Sequence, residues 1–161
     1  MNTVATKIGK IRGISGNDVT SFLGVRYGEP PVGTRRFMAS ELAEGWNGVY
    51  EATNFPNRAM QTRSLSTLGL PVGGSLSEDC LFLNIVTPSV TGSLRPVIVW
   101  FHGGGFVAGS ANEYDGTVLA RQGDVVVDGD WLVTFPIQDD NLDIFNIRLV
   151  GRFATHRGSM V

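Results

Sequence analysis

Three runs of β-branched and aromatic residues in the second half of the chain predict strands, at residues 81–88 (LFLNIVTP), 95–102 (RPVIVWFH) and 124–127 (DVVV). The last two are continuous apolar runs, which are typical of strands buried on both faces of an α/β sheet. Between them, residues 116–123 (GTVLARQG) combine helix formers with a final glycine and predict a short helix. The order strand, loop, helix, strand indicates the α/β class.

The N-terminal region predicts a β-hairpin. Residues 7–12 and 19–25 are short β segments, and the turn-forming stretch GISGND joins them. The sequence EPPVG at residues 29–33 then requires extended backbone, because each proline fixes its own φ and disfavours helix at the preceding residue. Residues 38–76 are rich in loop-forming residues, and we expect Trp46 to anchor them.

Composition and charge exclude several classes of partner. With 161 residues, of which 42% are hydrophobic and 17% charged, the chain resembles an ordinary soluble domain. A net charge of −2 gives no electrostatic reason to expect nucleic acid or an anionic membrane as a partner. A lone cysteine, Cys80, forms no intrachain disulfide, and the sequence shows neither a signal-peptide core nor a membrane-spanning run. We therefore expect a cytoplasmic protein.

The stretch WFHGGGFVAGS at residues 100–110 is dense in glycine and has two interpretations. In the first, Gly103, Gly105 and Ala108 form the G-x-G-x-x-A pattern of a dinucleotide site. Asp128 would then be the ribose-binding acid. However, the residues GSANEYDG separate the glycines from the predicted helix, whereas pyrophosphate binding requires the helix to begin at the glycines.

The second interpretation is an oxyanion hole. Ester cleavage passes through a tetrahedral intermediate that carries O⁻, and preset backbone N–H groups stabilise this charge. Glycines allow consecutive N–H groups to point the same way without side chains blocking the acyl group. A short strand followed by HGGG and a loop is a known form of this device in α/β-hydrolases.

Four blocks of the sequence, in this order, resemble the N-terminal part of the type-B carboxylesterase family. They are FLGVRYGEPPVGTRRF (22–37), WNGVYEAT (46–53), SEDCLFLNIVTP (77–88) and the stretch that runs from PVIVWFHGGGF to DVVV (96–127). The resemblance implies a Ser-dependent carboxylic-ester hydrolase that acts on a small-molecule ester and uses no metal or organic cofactor. It also implies an incomplete fold, namely the N-terminal portion of an α/β-hydrolase sheet with a hairpin and the first central strands.

The resemblance assigns roles to particular residues. Gly104 and Gly105 would donate two of the oxyanion-hole N–H groups. Arg36 would form a buried structural ion pair with Glu78, and such pairs are costly to break. The aromatic side chains that would pack around the sheet and the acyl pocket are Trp100, Phe101 and Phe106.

The sequence departs from the family pattern at the catalytic nucleophile. None of its serines has a glycine two positions before and two positions after it, so the G-x-S-x-G motif is absent from the 161 residues. The acid and the histidine of a recognisable triad are absent as well. We therefore predict that the chain alone does not hydrolyse esters at the rate of the family, and that an exposed apolar sheet edge promotes aggregation.

A second departure divides the chain at residue 127. Residues 1–127 correspond to the carboxylesterase domain, whereas residues 128–161 form a divergent tail without the expected NYRLG-like turn. Our hypothesis is that this tail arose from a shifted reading frame, a misjudged splice or a truncation. Sequencing of the transcript tests this hypothesis, and an uninterrupted frame that ends at Val161 would contradict it.

The remaining polar candidates have structural interpretations. His102 is expected to orient the glycines, and His156 to lie on the surface, because neither belongs to a triad or to a metal-ligand cluster. Asp115 is expected to act as an acid at the helix N-terminus. Glu78 and Asp79 are neighbours that would point in opposite directions rather than form an acid/base pair.

Two further expectations concern Cys80 and an alternative function. Ala59 stands where many family members have the disulfide partner of the cysteine equivalent to Cys80, so we expect Cys80 to be a small buried apolar side chain. The alternative is a non-catalytic binding protein of the same fold, as in the adhesion branch of the family. Such a protein would be secreted and disulfide-bonded, which the single cysteine argues against.

Overall fold

The computed structural model describes residues 1–61, 73–92, 94–104 and 108–129. These residues form seven strands and one short helix, with two 3-10 turns at Gly33–Arg35 and Ala111–Glu113. The strands are β1 (Asn2–Thr6), β2 (Gly9–Gly16), β3 (Val19–Arg26), β4 (Val49–Glu51), β5 (Phe82–Thr87), β6 (Val97–Trp100) and β7 (Val125–Gly129), and the helix is α1 (Thr117–Ala120).

The strands belong to one mixed sheet with the order β1-β2-β3-β5-β7-β6, and β4 pairs with β2. The ladders from β1 to β7 along this order are antiparallel, whereas β6 and β7 are parallel. The chain passes from β6 through α1 to β7, which confirms the predicted strand–loop–helix–strand unit and the α/β class. In the part of the chain that the structure describes, no helix is long and apolar enough to cross a membrane.

The predicted hairpin is formed by β2 and β3. Ile14 pairs with Ser21 and Gly16 with Val19, so the turn contains only Asn17 and Asp18. Both turn residues have positive φ values, 52° and 61°, as a two-residue turn of type I′ requires. Asparagine and aspartate tolerate this left-handed conformation better than most side chains, which explains the position of the turn.

Two strands lie where the sequence pattern did not predict them. β1 alternates exposed and half-buried residues and adds to the outer edge of β2. β4 contains only three residues within a segment that was expected to be loop, and it runs parallel to β2. The predicted anchor next to it is confirmed, because Trp46 packs against the main core and its Nε1 donates a hydrogen bond to Lys10 O at 2.8 Å.

The main core lies between the hairpin and the central strand β5. All six residues of β5 are buried, and β3 and β7 pair with its two edges. The core cluster consists of Ile11, Phe22, Val25, Ala52, Leu83, Ile85 and Val125. A second cluster, in which α1 contributes Ala120, consists of Val19, Val86, Ala120 and Val126. Cys80 is buried, as expected.

The prediction that the second apolar run is buried on both faces is wrong. Strand β6 is half-buried, and its last residue, Trp100, is 43% exposed. Phe101, which follows it, is 55% exposed. Among the described residues β6 ends the strand order and pairs only with β7, so its other edge is not covered. An apolar sequence indicates that a strand can be buried. Whether the strand is buried depends on the elements that pack beside it.

Candidate oxyanion site

The glycine loop leaves the sheet at the end of β6 and continues to α1. Gly104 is exposed and has a φ of +133°. Its carbonyl accepts a hydrogen bond from Ala108 N at 3.2 Å. A Cβ atom at Gly104 would collide with Ala108 O, so this position requires glycine. Within the described residues the N–H of Gly104 has no hydrogen-bond acceptor.

The preceding glycine, Gly103, is contacted by the Tyr114 and His102 side chains. Gly103 N donates to the Tyr114 hydroxyl at 3.3 Å, and the Tyr114 ring packs on the Trp100 ring with centroids 5.6 Å apart. His102 Nδ1 lies 2.9 Å from Gly103 O. The imidazole therefore contacts the glycine loop, and its role in orienting the glycines stays a prediction.

Gly109 marks the point where the loop folds back on itself. It has a φ of +111°, and a Cβ atom there would collide with Gly103 O and lie 2.8 Å from His102 Nδ1. Both backbone groups of Gly109 bind the side chain of Gln61: the N–H donates to Oε1 at 3.0 Å, and the carbonyl accepts from Nε2 at 3.1 Å. The two ends of the loop are thus packed together without an intervening side chain.

Ser110 and Asn112 continue this anchoring into the core. Both are buried, and Ser110 Oγ accepts a hydrogen bond from Asn112 N at 3.1 Å. The Asn112 side chain binds Asn84 of β5 and two backbone carbonyls. Sequence analysis missed Gln61, Asn84 and Asn112. Asn84 could have been recognised, because it is a polar residue inside an apolar run. Gln61 and Asn112 could not, because their hydrogen-bond partners are distant in sequence.

The structure places Arg36 Nη2 2.7 Å from Glu78 Oε1. The expectation that this ion pair is buried is wrong, because its side chains are 51% and 40% exposed. Arg36 follows an exposed 3-10 turn, Gly33–Arg35, in which no residue is buried. Solvent can therefore screen both charges.

A second ion pair, between Arg26 and Asp79, was not anticipated and is better enclosed. The guanidinium binds both carboxylate oxygens, at 2.7 and 2.8 Å, and its carbon lies 4.4 Å from the centre of the Phe82 ring. The hydrogen bond with Asp79 raises the pKa of Arg26 above its ordinary value. Asp79 and Glu78 thus bind different arginines, as expected for neighbours that point in different directions.

The dinucleotide interpretation does not fit the geometry. Helix α1 begins at Thr117, well after Gly105, and contains four residues, so its N-terminus does not follow the glycines. Asp128 is buried within β7, opposite Trp100 in the β6–β7 ladder. Asp115 accepts a hydrogen bond from Thr117 N at 2.9 Å, which confirms its role at the start of the helix.

Several predicted positions lie outside the described residues. They are Gly105 and Phe106 of the glycine loop, and His156 with nearly all of the tail. Gly104 is therefore the one proposed oxyanion donor whose surroundings the structure describes.

Comparison with known proteins identifies the family. The Carboxylesterase family matches residues 1–128. Human carboxylesterase 3 is 41% identical over an alignment of 138 positions that covers 77% of this chain and 24% of the human protein. Para-nitrobenzyl esterase of Bacillus subtilis is 40% identical over 126 residues, 77% of this chain and 26% of the enzyme.

Solved structures agree with the sequence comparison. A para-nitrobenzyl esterase structure superposes with a TM-score of 0.72 at 38% identity and covers 78% of this chain and 26% of the other. A Geobacillus stearothermophilus carboxylesterase gives a TM-score of 0.71 at 38% identity and covers 82% of this chain and 27% of the other. The chain spans about a quarter of the length of these relatives. The chain belongs to the carboxylesterase family.

Proposed function

We propose that this chain supplies the oxyanion-hole part of a serine carboxylesterase site, in which Gly104 and Gly105 donate their backbone N–H groups. The observation that carries this proposal is the Gly104 N–H. Gly104 is exposed, its N–H has no acceptor in the described part of the chain, and only glycine fits at this position. A fixed donor without an acceptor among the described residues is available to a negative charge that develops during a reaction.

The chemistry is the cleavage of a small-molecule carboxylic ester by acyl transfer. When a nucleophile attacks the carbonyl carbon, the carbonyl oxygen becomes O⁻, and preset N–H groups stabilise this oxygen more than they stabilise the substrate. Loss of one such donor lowers kcat by roughly 10²–10³ in serine hydrolases. The donors act without a metal or an organic cofactor.

The nucleophile is not among the 161 residues, because no serine of the chain lies in G-x-S-x-G. The chain therefore provides stabilisation without attack and does not turn over esters by itself. His102 does not replace the missing base, because no serine of the 161 residues lies in G-x-S-x-G for it to activate. A cytoplasmic location stays a prediction that rests on the single cysteine.

A chimaera tests the proposal. Residues 1–128 of this chain replace the matching segment of Bacillus subtilis para-nitrobenzyl esterase, which supplies the rest of the domain. We expect the chimaera to hydrolyse a p-nitrophenyl ester, and the 161-residue chain to leave the ester at the rate of the buffer blank. A folded but inactive chimaera contradicts the proposed role. Hydrolysis by the chain alone that an organophosphate inhibits contradicts the prediction that it lacks a nucleophile.

A further inference from the structure

Asn112 is a buried side chain whose hydrogen-bonding groups are all used. It is 8% exposed. Its Nδ2 donates to Pro56 O at 3.0 Å and to Gly73 O at 2.9 Å, and its Oδ1 accepts from Asn84 Nδ2 at 3.1 Å. A buried amide that satisfies two carbonyls and one donor fixes its own position and that of the segments it joins.

Asn84 connects this amide to the sheet. It is buried in the central strand β5, and its Oδ1 accepts a hydrogen bond from Gly24 N at 3.1 Å. Gly24 lies where the β3–β5 register shifts, and a φ of +75° turns its N–H away from the regular ladder. The two asparagines therefore tie the loop between β6 and α1 to the irregularity in β3.

Gln61 holds the same loop from another segment. Its amide binds both the N–H and the carbonyl of Gly109, and its Nε2 also donates to Ala59 O at 3.2 Å. Gly109 in turn packs directly against Gly103 O and His102. Any displacement of Gly109 therefore disturbs His102 and Gly103, the two residues that precede Gly104.

From this geometry we infer that Asn112 and Gln61 are positioning residues that fix the direction of the Gly104 N–H. They act through Ser110 and Gly109 and touch neither the glycine that donates nor the substrate. This inference rests on the proposed function for its consequence in catalysis, but its structural part is independent of activity. The reporter is the Ala108 N–H, because it donates to Gly104 O and contacts neither amide side chain.

The first test measures amide hydrogen exchange in the full 161-residue chain. Asn112→Ala removes the buried amide, and Gln61→Met removes the clamp on Gly109 with little change in length. We expect exchange of the Ala108 N–H to accelerate at least about tenfold in each variant. The Ile85 N–H in the central strand reports global opening and should change by less than about twofold.

A matched control separates loop positioning from general destabilisation. Thr87→Val removes a buried hydroxyl that donates to Ser89 O at 2.7 Å, at the far end of β5 from the glycine loop. It should leave the Ala108 exchange rate unchanged. An unaltered Ala108 rate in Asn112→Ala, or an equal acceleration of Ala108 and Ile85, overturns the inference. Equal acceleration includes the case in which the variant fails to fold.

A conservative variant provides a finer readout. Gln61→Glu keeps an acceptor for the Gly109 N–H and loses the donor to Gly109 O and Ala59 O. Its Ala108 exchange rate should fall between those of the wild type and Gln61→Met. A rate equal to that of Gln61→Met would mean that the acceptor for the Gly109 N–H contributes nothing, which contradicts a two-point clamp.

The second test places Asn112→Ala and Thr87→Val in the chimaera described above. Because a misdirected donor weakens binding of the transition state, we expect kcat to fall about tenfold or more in Asn112→Ala while KM stays within about twofold. Thr87→Val should change neither. If the parent chimaera is inactive, the proposed function fails while the exchange result still decides the positioning role. If it is active and Asn112→Ala keeps kcat, the catalytic consequence is wrong.

Discussion

Asp79→Asn should destabilise the protein more than Glu78→Gln, although the two carboxylates are adjacent and each lies 2.7 Å from an arginine nitrogen. The two ion pairs differ in how much of their side chains is exposed to solvent. The Arg26 and Asp79 side chains are 23% and 30% exposed, and the guanidinium also lies over the Phe82 ring. Neutralising Asp79 leaves a partly desolvated arginine without its counter-charge, and this cost exceeds the energy of the contact itself.

The expected magnitudes follow from the contacts. A hydrogen bond to a charged group contributes about 1.5–3 kcal/mol to stability. Because the Arg26–Asp79 pair keeps some contact with solvent, we expect Asp79→Asn to lower the free energy of unfolding by about 2 kcal/mol. The exposed pair of Glu78 with Arg36 contributes at most about 1 kcal/mol. For a chain of this size, a loss of about 2 kcal/mol lowers Tm by about 4–8 °C.

Urea unfolding followed by circular dichroism measures both variants, with the slope of the transition as the check that the unfolded state is unchanged. Arg36→Gln and Arg26→Gln complete two double-mutant cycles, which isolate each pairwise energy. A Glu78→Gln midpoint shifted as far as that of Asp79→Asn would contradict this difference. So would an Arg26–Asp79 coupling energy no larger than the Arg36–Glu78 coupling energy.

Three further predictions concern the turn, the helix start and the core. Asp18→Gly should raise stability by roughly 0.5 kcal/mol, because glycine adopts the observed φ of 61° without strain; a lower urea midpoint contradicts this. The pKa of Asp115 is lowered from 3.8 by its hydrogen bonds with Thr117, so its contribution to stability is present above pH 4 and is lost as the pH falls through the lower folded value. A carboxyl NMR titration with a midpoint at or above 3.8 would disagree. Tyr50→Phe should cost about 1 kcal/mol in a thermal melt, because the hydroxyl donates to Gly24 O at 2.7 Å, and an unchanged Tm argues against that bond.

The parts of the fold that local pattern determines were predictable from the sequence. Runs of β-branched residues predicted β5, β6 and β7, and the glycine after GTVLARQ predicted the end of the helical segment. By contrast, β4 is only three residues long and is a strand because β2 is beside it. Its own sequence carries too little periodicity to distinguish it from a loop.

The candidate site also has a part that could be predicted from the sequence and a part that could not. The glycines of the loop were recognisable, because a backbone that must approach other backbone closely needs residues without side chains. The side chains that hold the loop were not, since Gln61 meets Gly109 and Asn112 meets Pro56 across 48 and 56 positions of sequence. The burial of the Arg36–Glu78 pair was also misjudged, because solvent access is a property of the assembled surface.

The activity of the chimaera with and without Gly104 is the direct test of the oxyanion role of this glycine. Gly104→Ala forces a Cβ atom against Ala108 O and so turns the donor, whereas Gly123→Ala introduces the same kind of strain, at a φ of +115°, in open space outside the loop. We predict that Gly104→Ala lowers kcat/KM for a p-nitrophenyl ester by roughly 10²–10³ and that Gly123→Ala changes it less than about threefold. Equal effects of the two substitutions, or retention of more than about a tenth of the activity in Gly104→Ala, would contradict the oxyanion role of this glycine.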